Sequence, residues 1–131
     1  MAVEISSKLL AKMTNLATAA YPREACGILV GQGDRIERLI PAPNVHEQPE
    51  RFFTIDPQTL IDVHRTMRGS ESRVVGYFHS HPNGRAAPSA VDRAHATGLG
   101  DIWAIATRDR VTFWRDDEET FRALSITVLD V

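Results

Sequence analysis

From Ala25 to Val30 the chain is almost unbroken in apolar residues, and a run of that kind reads as a strand buried on both faces. Such a strand needs packing layers above and below it. The flanking sequence supplies them. Ser6 or Ser7 can cap a helix whose apolar positions Leu9, Leu10, Met13, Leu16, Ala17 and Ala20 recur at helical spacing, with Pro22 just beyond it. Arg35 to Ile40 alternates in polarity and reads as a partner strand across the turn Gly31-Gln32-Gly33-Asp34. Pro41 to Glu50 is a loop, Arg51 to Ile55 a short strand, and Asp56-Pro57 opens a second helix through about Met67. Arg73 to His79 is a strand rich in Val and aromatics, and Ser89 to about Leu99 a third helix. Three strand candidates follow: Ile102 to Thr107, Val111 to Trp114 and Phe121 to Leu129. Helices alternating with strands, then a closing meander, predict one layered α/β domain with a mixed sheet over residues 1–131.

One strand end carries chemistry. Gly76-Tyr77-Phe78-His79-Ser80-His81-Pro82 is followed, after a short loop, by Pro88-Ser89-Ala90-Val91-Asp92. Side chains alternate along a strand, so His79 and His81 share a face while Ser80 points the other way. Their α-carbons lie roughly 6.5 to 7 Å apart, a distance from which two imidazoles can converge on one ion. Asp92 is the nearest carboxylate downstream that could serve as a third ligand, and a catalytic zinc commonly takes three protein ligands. A general base is then needed. Glu24, immediately before the buried strand, is the candidate, since a partly apolar site can tune its pKa. Ser89 could donate a hydrogen bond to the oxyanion formed when water attacks a carbonyl.

These residues carry a resemblance to the JAMM, or MPN-plus, metallopeptidases of the JAB group. The family signature is an upstream glutamate, then His-x-His, seven residues, Ser, two residues and Asp. Glu24 stands in Pro22-Arg23-Glu24-Ala25-Cys26-Gly27-Ile28-Leu29, and His79, His81, Ser89 and Asp92 fill the remainder. Phe53-Thr54-Ile55-Asp56-Pro57 is similar to the family's strand-to-helix junction. The resemblance spans about residues 4 to 129. It implies a three-layer α/β/α, cytidine-deaminase-like MPN fold and one zinc ion per chain on His79, His81 and Asp92. It also implies Glu24 as general acid and base, with Ser89 steadying the tetrahedral intermediate. The substrate it implies is an amide at or near the C-terminal Gly-Gly of a ubiquitin-like or sulfur-carrier protein. The spacing between His81 and Ser89 is minimal, which resembles the short prokaryotic members rather than deubiquitinases with ubiquitin-gripping insertions.

Other readings carry less. Ser89-x-x-Asp92 also resembles a capping box, in which Asp92 would only satisfy a helix start. His95, three residues after Asp92 on the same helix face, is an alternative ligand. Cys26 reads as a buried small thiol. A non-catalytic MPN scaffold would leave a complete polar cluster without its metal. A RadC-like role near DNA shares the loop spacing, but a formal net charge of -2 offers no phosphate-binding surface. The ligands of a zinc nucleobase deaminase are absent from a chain with one cysteine. No window is long and apolar enough for a spanning helix, and the N-terminal segment, with Lys8 and Lys12, differs from a signal peptide. The single cysteine favours a reducing compartment, so the expectation is a cytoplasmic protein bound to neither membrane nor nucleic acid.

Overall fold

The computed structural model describes residues 2–129. Its first helix, α1 (Ser7–Ala20), starts where the Ser6 Oγ accepts a hydrogen bond from the Leu9 amide at 3.1 Å. The second, α2 (Pro57–Met67), starts where Asp56 accepts from the Thr59 amide at 3.2 Å, with proline in its first turn. The third, α3 (Ala90–His95), starts at Ser89. Among the described residues the strands are β1 (Ala2–Ser6), β2 (Cys26–Gln32), β3 (Arg35–Ala42), β4 (Arg73–Ser80), β5 (Ile102–Ala106), β6 (Val111–Asp116) and β7 (Phe121–Leu129).

The expected α/β character and mixed sheet hold. The strands run β1-β3-β2-β4-β5-β6-β7 and then return to β1, so the sheet closes into a barrel. Closure depends on β1, which the sequence pattern did not single out. It pairs in parallel with β7 from Ala2↔Ser125 to Ser6↔Leu129, and meets β3 at Glu4↔Arg35. An Arg35–Glu4 ion pair at 3.0 Å marks that seam. Elsewhere β4 and β5 are parallel, whereas β2 with β3, β2 with β4, β5 with β6 and β6 with β7 are antiparallel.

The apolar run in β2 is covered on both faces. Leu29 and, across in β4, Phe78 pack with Met13 and Ala17 of α1. Their neighbours Ile28, Val30 and Tyr77 turn the other way and pack with Val63 and Leu60 of α2. β2 and β4 pair side by side from Cys26↔His79 onward, and helices on opposite faces cover them, so the strand end bearing the histidines is packed from both sides.

Two expectations fail locally. Arg51 to Ile55 is not a strand: only an isolated bridge joins Ile55 to Asn44. The Arg51 and Phe52 amides donate to the Gln48 carbonyl, and the Thr54 amide to Asn44 Oδ1, so a turn and one side chain take the groups a ladder would need. The third helix ends at His95, short of Leu99. The buried carboxylate of Asp116 accepts from the Thr97 and Gly98 amides, both at 2.9 Å, and Gly98 sits at φ 73, so the chain leaves the helix for a stronger acceptor.

Gly76 shows how tightly β4 meets β5. A Cβ there would collide with the backbone carbonyl of Ile102, its register partner. Gly76→Ala is expected to destabilise the protein by roughly 3 kcal/mol or more, because backbone rather than a movable side chain must yield. Chemical denaturation checks this, and a loss below about 1 kcal/mol would contradict the packing.

Candidate metal centre

His79 lies in the last turn of the pleat of β4, and His81 just past its end. The ladder continues through both: the Ser80 amide donates to the Ala25 carbonyl at 3.0 Å and the His81 amide to the Ala106 carbonyl at 2.8 Å. Ser80 points away from the two histidines, as alternation requires, and its Oγ accepts from the Ala25 amide at 2.8 Å. That contact ties β4 to the start of β2, and so to Glu24.

Asp92 reaches the same point from the first turn of α3. The two imidazoles and this carboxylate are buried, and their ligand atoms lie within 4.8 Å of one another. His79 Nε2 and His81 Nε2 are 3.0 Å apart, and Asp92 Oδ2 lies 3.3 Å from His79 Nε2 and 3.1 Å from His81 Nε2. Tetrahedral ligands about 2.0 to 2.1 Å from a zinc ion stand about 3.3 Å from each other. The triangle of two nitrogens and one oxygen has that size. The His81 tautomer agrees: Nδ1 lies 2.7 Å from the Arg85 carbonyl, so the proton assigned there leaves the Nε2 lone pair free for a metal. The donor set fits zinc.

The electrostatics follow from burial and this clustering. Burial alone would raise the Asp92 pKa, but hydrogen bonds with His79 and His81, the charge interaction with His79 and the Ser89 amide outweigh it and hold the carboxyl well below the usual range. Complete burial lowers the His79 pKa despite Asp92. His81 ends up raised, because burial is outweighed by Asp92, the Arg85 carbonyl and Glu24. A carboxylate that stays ionised beside a neutral imidazole is a ready ligand pair.

Glu24 borders a cavity of about 250 Å³ that it shares with His81 and Ser89, and with Glu50, Arg51, Pro82 and Asn83. Its backbone is held at both ends: the amide donates to the Pro49 carbonyl at 2.7 Å, and the carbonyl accepts from Asn44 Nδ2 at 3.0 Å. Burial is the main reason its pKa is pushed up to about 7; His81 pulls it down and Asp92 pushes it up. A carboxyl near 7 exchanges protons in both directions at neutral pH.

A stability effect follows. A pKa raised from 4.5 in the unfolded chain to about 7 in the fold gives a contribution present below 4.5 and lost as pH rises through 7. Between pH 5 and 8 the metal-free protein should lose about 2 kcal/mol from this group, once solvent screening at the cavity mouth is allowed for. Thermal melts of metal-free wild type and Glu24→Gln check it: the difference between the two should change by about 2 kcal/mol over this range, the imidazoles contributing alike to both, and parallel curves would count against a buried neutral Glu24.

Ser89 and Asp92 do form the capping box. The Ser89 amide donates to Asp92 Oδ2 at 2.9 Å and the Asp92 amide to Ser89 Oγ at 3.1 Å. The structural role of Asp92 therefore coexists with its place in the triangle: Oδ2 accepts the Ser89 amide while it faces both imidazoles. Ser89 Oγ accepts in this box, which leaves its own proton to donate.

The other histidines and the cysteine stay out of the triangle. His95 is exposed and its Nδ1 pairs with the Val91 carbonyl of its own helix at 2.9 Å. His46 Nδ1 accepts from the Gln48 amide, and His64 is exposed on α2. The Cys26 thiol is buried and pushed up to about 12, first by burial and then by Glu24, so it is inert as a nucleophile. Sequence reasoning missed the supporting groups. Asn44, between loop prolines, carried only a turn signal, and the Arg85 carbonyl carried none, since any residue supplies one.

Beside the triangle a largely apolar groove of about 530 Å³ runs past Phe53, Tyr77, Val91, Asp92, His95 and Trp103. Among the described residues no helix is long and apolar enough to cross a membrane.

Residues 6–120 match the family described as prokaryotic homologs of the JAB domain. The chain is 31% identical over 133 residues to a desampylase of Haloferax volcanii, covering 98% of this chain and 94% of that protein. It is 36% identical over 108 residues to a CysO-cysteine peptidase of Mycobacterium tuberculosis, covering 80% and 73%. Its fold matches a solved structure described as a JAMM metalloprotease-like zinc site in the proteasome and signalosome, with a TM-score of 0.59, 21% identity, and 97% and 99% of the two chains covered.

Proposed function

We infer, from the premise that this chain belongs to the family of prokaryotic homologs of the JAB domain, that it is a zinc-dependent peptidase or isopeptidase. Its substrate is an amide at or near the C-terminal Gly-Gly of a ubiquitin-like or sulfur-carrier protein. The observation that carries the reading is the buried triangle of His79, His81 and Asp92, with donor atoms 3.0 to 3.3 Å apart. The relatives named desampylase and CysO-cysteine peptidase support the substrate class.

In this proposal His79, His81 and Asp92 hold one zinc ion per chain. When bound, the metal lowers the pKa of a water towards about 7 and polarises the scissile carbonyl. Glu24 takes the proton of the attacking water on its carboxylate and returns it to the nitrogen of the leaving amine; a pKa of about 7 suits both transfers. Ser89 donates its hydroxyl proton to the oxygen that gains charge on the substrate. A Gly-Gly tail suits such a site because a residue without Cβ lets backbone come close to the protein.

Two finer readings belong to the same proposal. Helices on opposite faces of β2 and β4 support a cytidine-deaminase-like layering within the closed sheet. The lone cysteine, with no partner for an internal disulfide, supports a cytoplasmic location.

The test is to incubate the zinc-loaded protein with a Gly-Gly-terminated carrier fused to a short extension. Release of the extension, abolished by a chelator and restored by zinc, is expected. An intact fusion under saturating zinc would overturn the substrate assignment. Ser89→Ala addresses the oxyanion role. It should cost about 2.7 to 4 kcal/mol of transition-state stabilisation, seen in kcat, and separately about 1 kcal/mol of fold stability from the lost cap. Unchanged kcat with reduced stability would leave Ser89 as a cap alone.

A further inference from the structure

The two histidines of the triangle are held by different forces. His81 turns its outer nitrogen, Nδ1, to the Arg85 carbonyl at 2.7 Å, the kind of contact that fixes the tautomer and ring orientation of a metal-ligating imidazole. His79 lacks this. Its ring is fully buried, and its Nδ1 has no hydrogen-bond partner among the described residues.

Aromatic rings surround it instead. Phe53 lies against the His79 ring with centroids 4.4 Å apart and planes at 17°, a stacked pair. Trp103 meets the same ring edge-on at 5.6 Å and 86°, and Phe53 at 6.5 Å and 79°. The imidazole is thus confined by Phe53 on its face, Trp103 at right angles and His81 and Asp92 at its tip. Offset-stacked and edge-to-face rings are directional contacts, so they restrict ring rotation as well as filling space.

Phe53 sits outside every strand and helix, so its position depends on what holds its loop. That is Asn44. Its Nδ2 donates to the Phe52 carbonyl at 3.0 Å and its Oδ1 accepts from the Thr54 amide at 3.1 Å, which fixes the backbone on either side of Phe53. The same Nδ2 donates to the Glu24 carbonyl at 3.0 Å. One amide side chain therefore sets both the aromatic that faces His79 and the segment that bears Glu24.

We propose that Phe53, clamped by Asn44, is the positioning residue for the metal ligand His79, replacing by ring stacking the hydrogen bond that His79 lacks. The inference rests on His79 being a ligand. Two consequences separate it from a packing role. The effect of losing the ring should fall on metal affinity and metal geometry before it falls on the fold. A residue with a ring at position 53 should serve, whereas an aliphatic one of similar bulk should not.

Zinc dissociation constants, measured by competition with a chromophoric chelator, test this together with the visible absorption of the cobalt-substituted protein. Phe53→Leu should bind zinc about 10- to 100-fold more weakly than wild type, with an altered cobalt spectrum and an unchanged melting temperature of the metal-free form. Phe53→Tyr should restore both affinity and spectrum. A Leu variant that binds zinc as tightly as wild type, with the same spectrum, overturns the inference while leaving the ligand assignment intact. Wild type that binds no zinc overturns both. If the Leu substitution unfolds the metal-free protein, wild-type NMR decides. Cross-peaks between the ring protons of Phe53 and His79, with one His79 ring conformer, are expected, and an averaged His79 ring without those cross-peaks overturns the inference.

Discussion

Glu24→Gln should leave zinc bound at one ion per chain and lower turnover by about a hundred- to ten-thousand-fold, the range for removing a positioned general acid-base group. The substitution keeps the size and shape of the side chain and removes only its ability to carry a proton. Glu24 stands outside the triangle of His79, His81 and Asp92, so the donor atoms are untouched. Its backbone contacts to Pro49 and Asn44 do not involve the side chain and should persist. Metal analysis and single-turnover cleavage of a Gly-Gly fusion measure the two quantities separately. Wild-type turnover in this variant would remove Glu24 from the mechanism, and loss of zinc would make it part of the metal site. The pH dependence of the rate is a companion observation: the free carboxyl titrates at about 7, and a bound cation next to it lowers that value.

Asp92→Ala should have the other large effect, abolishing both zinc binding and activity. The carboxylate does three things at once. It faces His79 and His81, with Oδ2 near both rings, and it accepts the Ser89 amide at the start of α3. Alanine leaves two buried imidazoles without their charged partner and opens the capping box. The metal-free fold should lose about 2 kcal/mol from these combined effects. His81→Ala is the comparison, since it should also lose the metal while leaving the Ser89–Asp92 box in place. Zinc content and denaturation midpoints of the two variants check the account. An Asp92→Ala protein that retained stoichiometric zinc would refute the assignment of the third ligand.

Much of the site was legible because its grammar is local. His79 and His81 share a face through the period of a strand, and Ser89 and Asp92 meet through the geometry of a helix start; both follow from spacing. The buried run in β2 and the capped starts of α1 and α2 were legible for the same reason. The errors occurred where a distant group outcompeted a local preference. Thr97 and Gly98 left the helix for the Asp116 carboxylate, nineteen and eighteen residues away along the chain. Thr54 gave its amide to Asn44, ten residues away, and the short strand expected there did not form.

Residue identity and spacing were enough to assemble the donor set and to place it at the end of a strand beside a helix. They could not specify that β1 would close the sheet against β7, or that Asn44 would join the Glu24 segment to Phe53. Nor could they show that the Glu24 carboxyl would be buried enough to titrate near neutrality. Closure and desolvation are properties of surfaces brought together from far apart in the chain, and only the packed tertiary arrangement decides which groups lose their water.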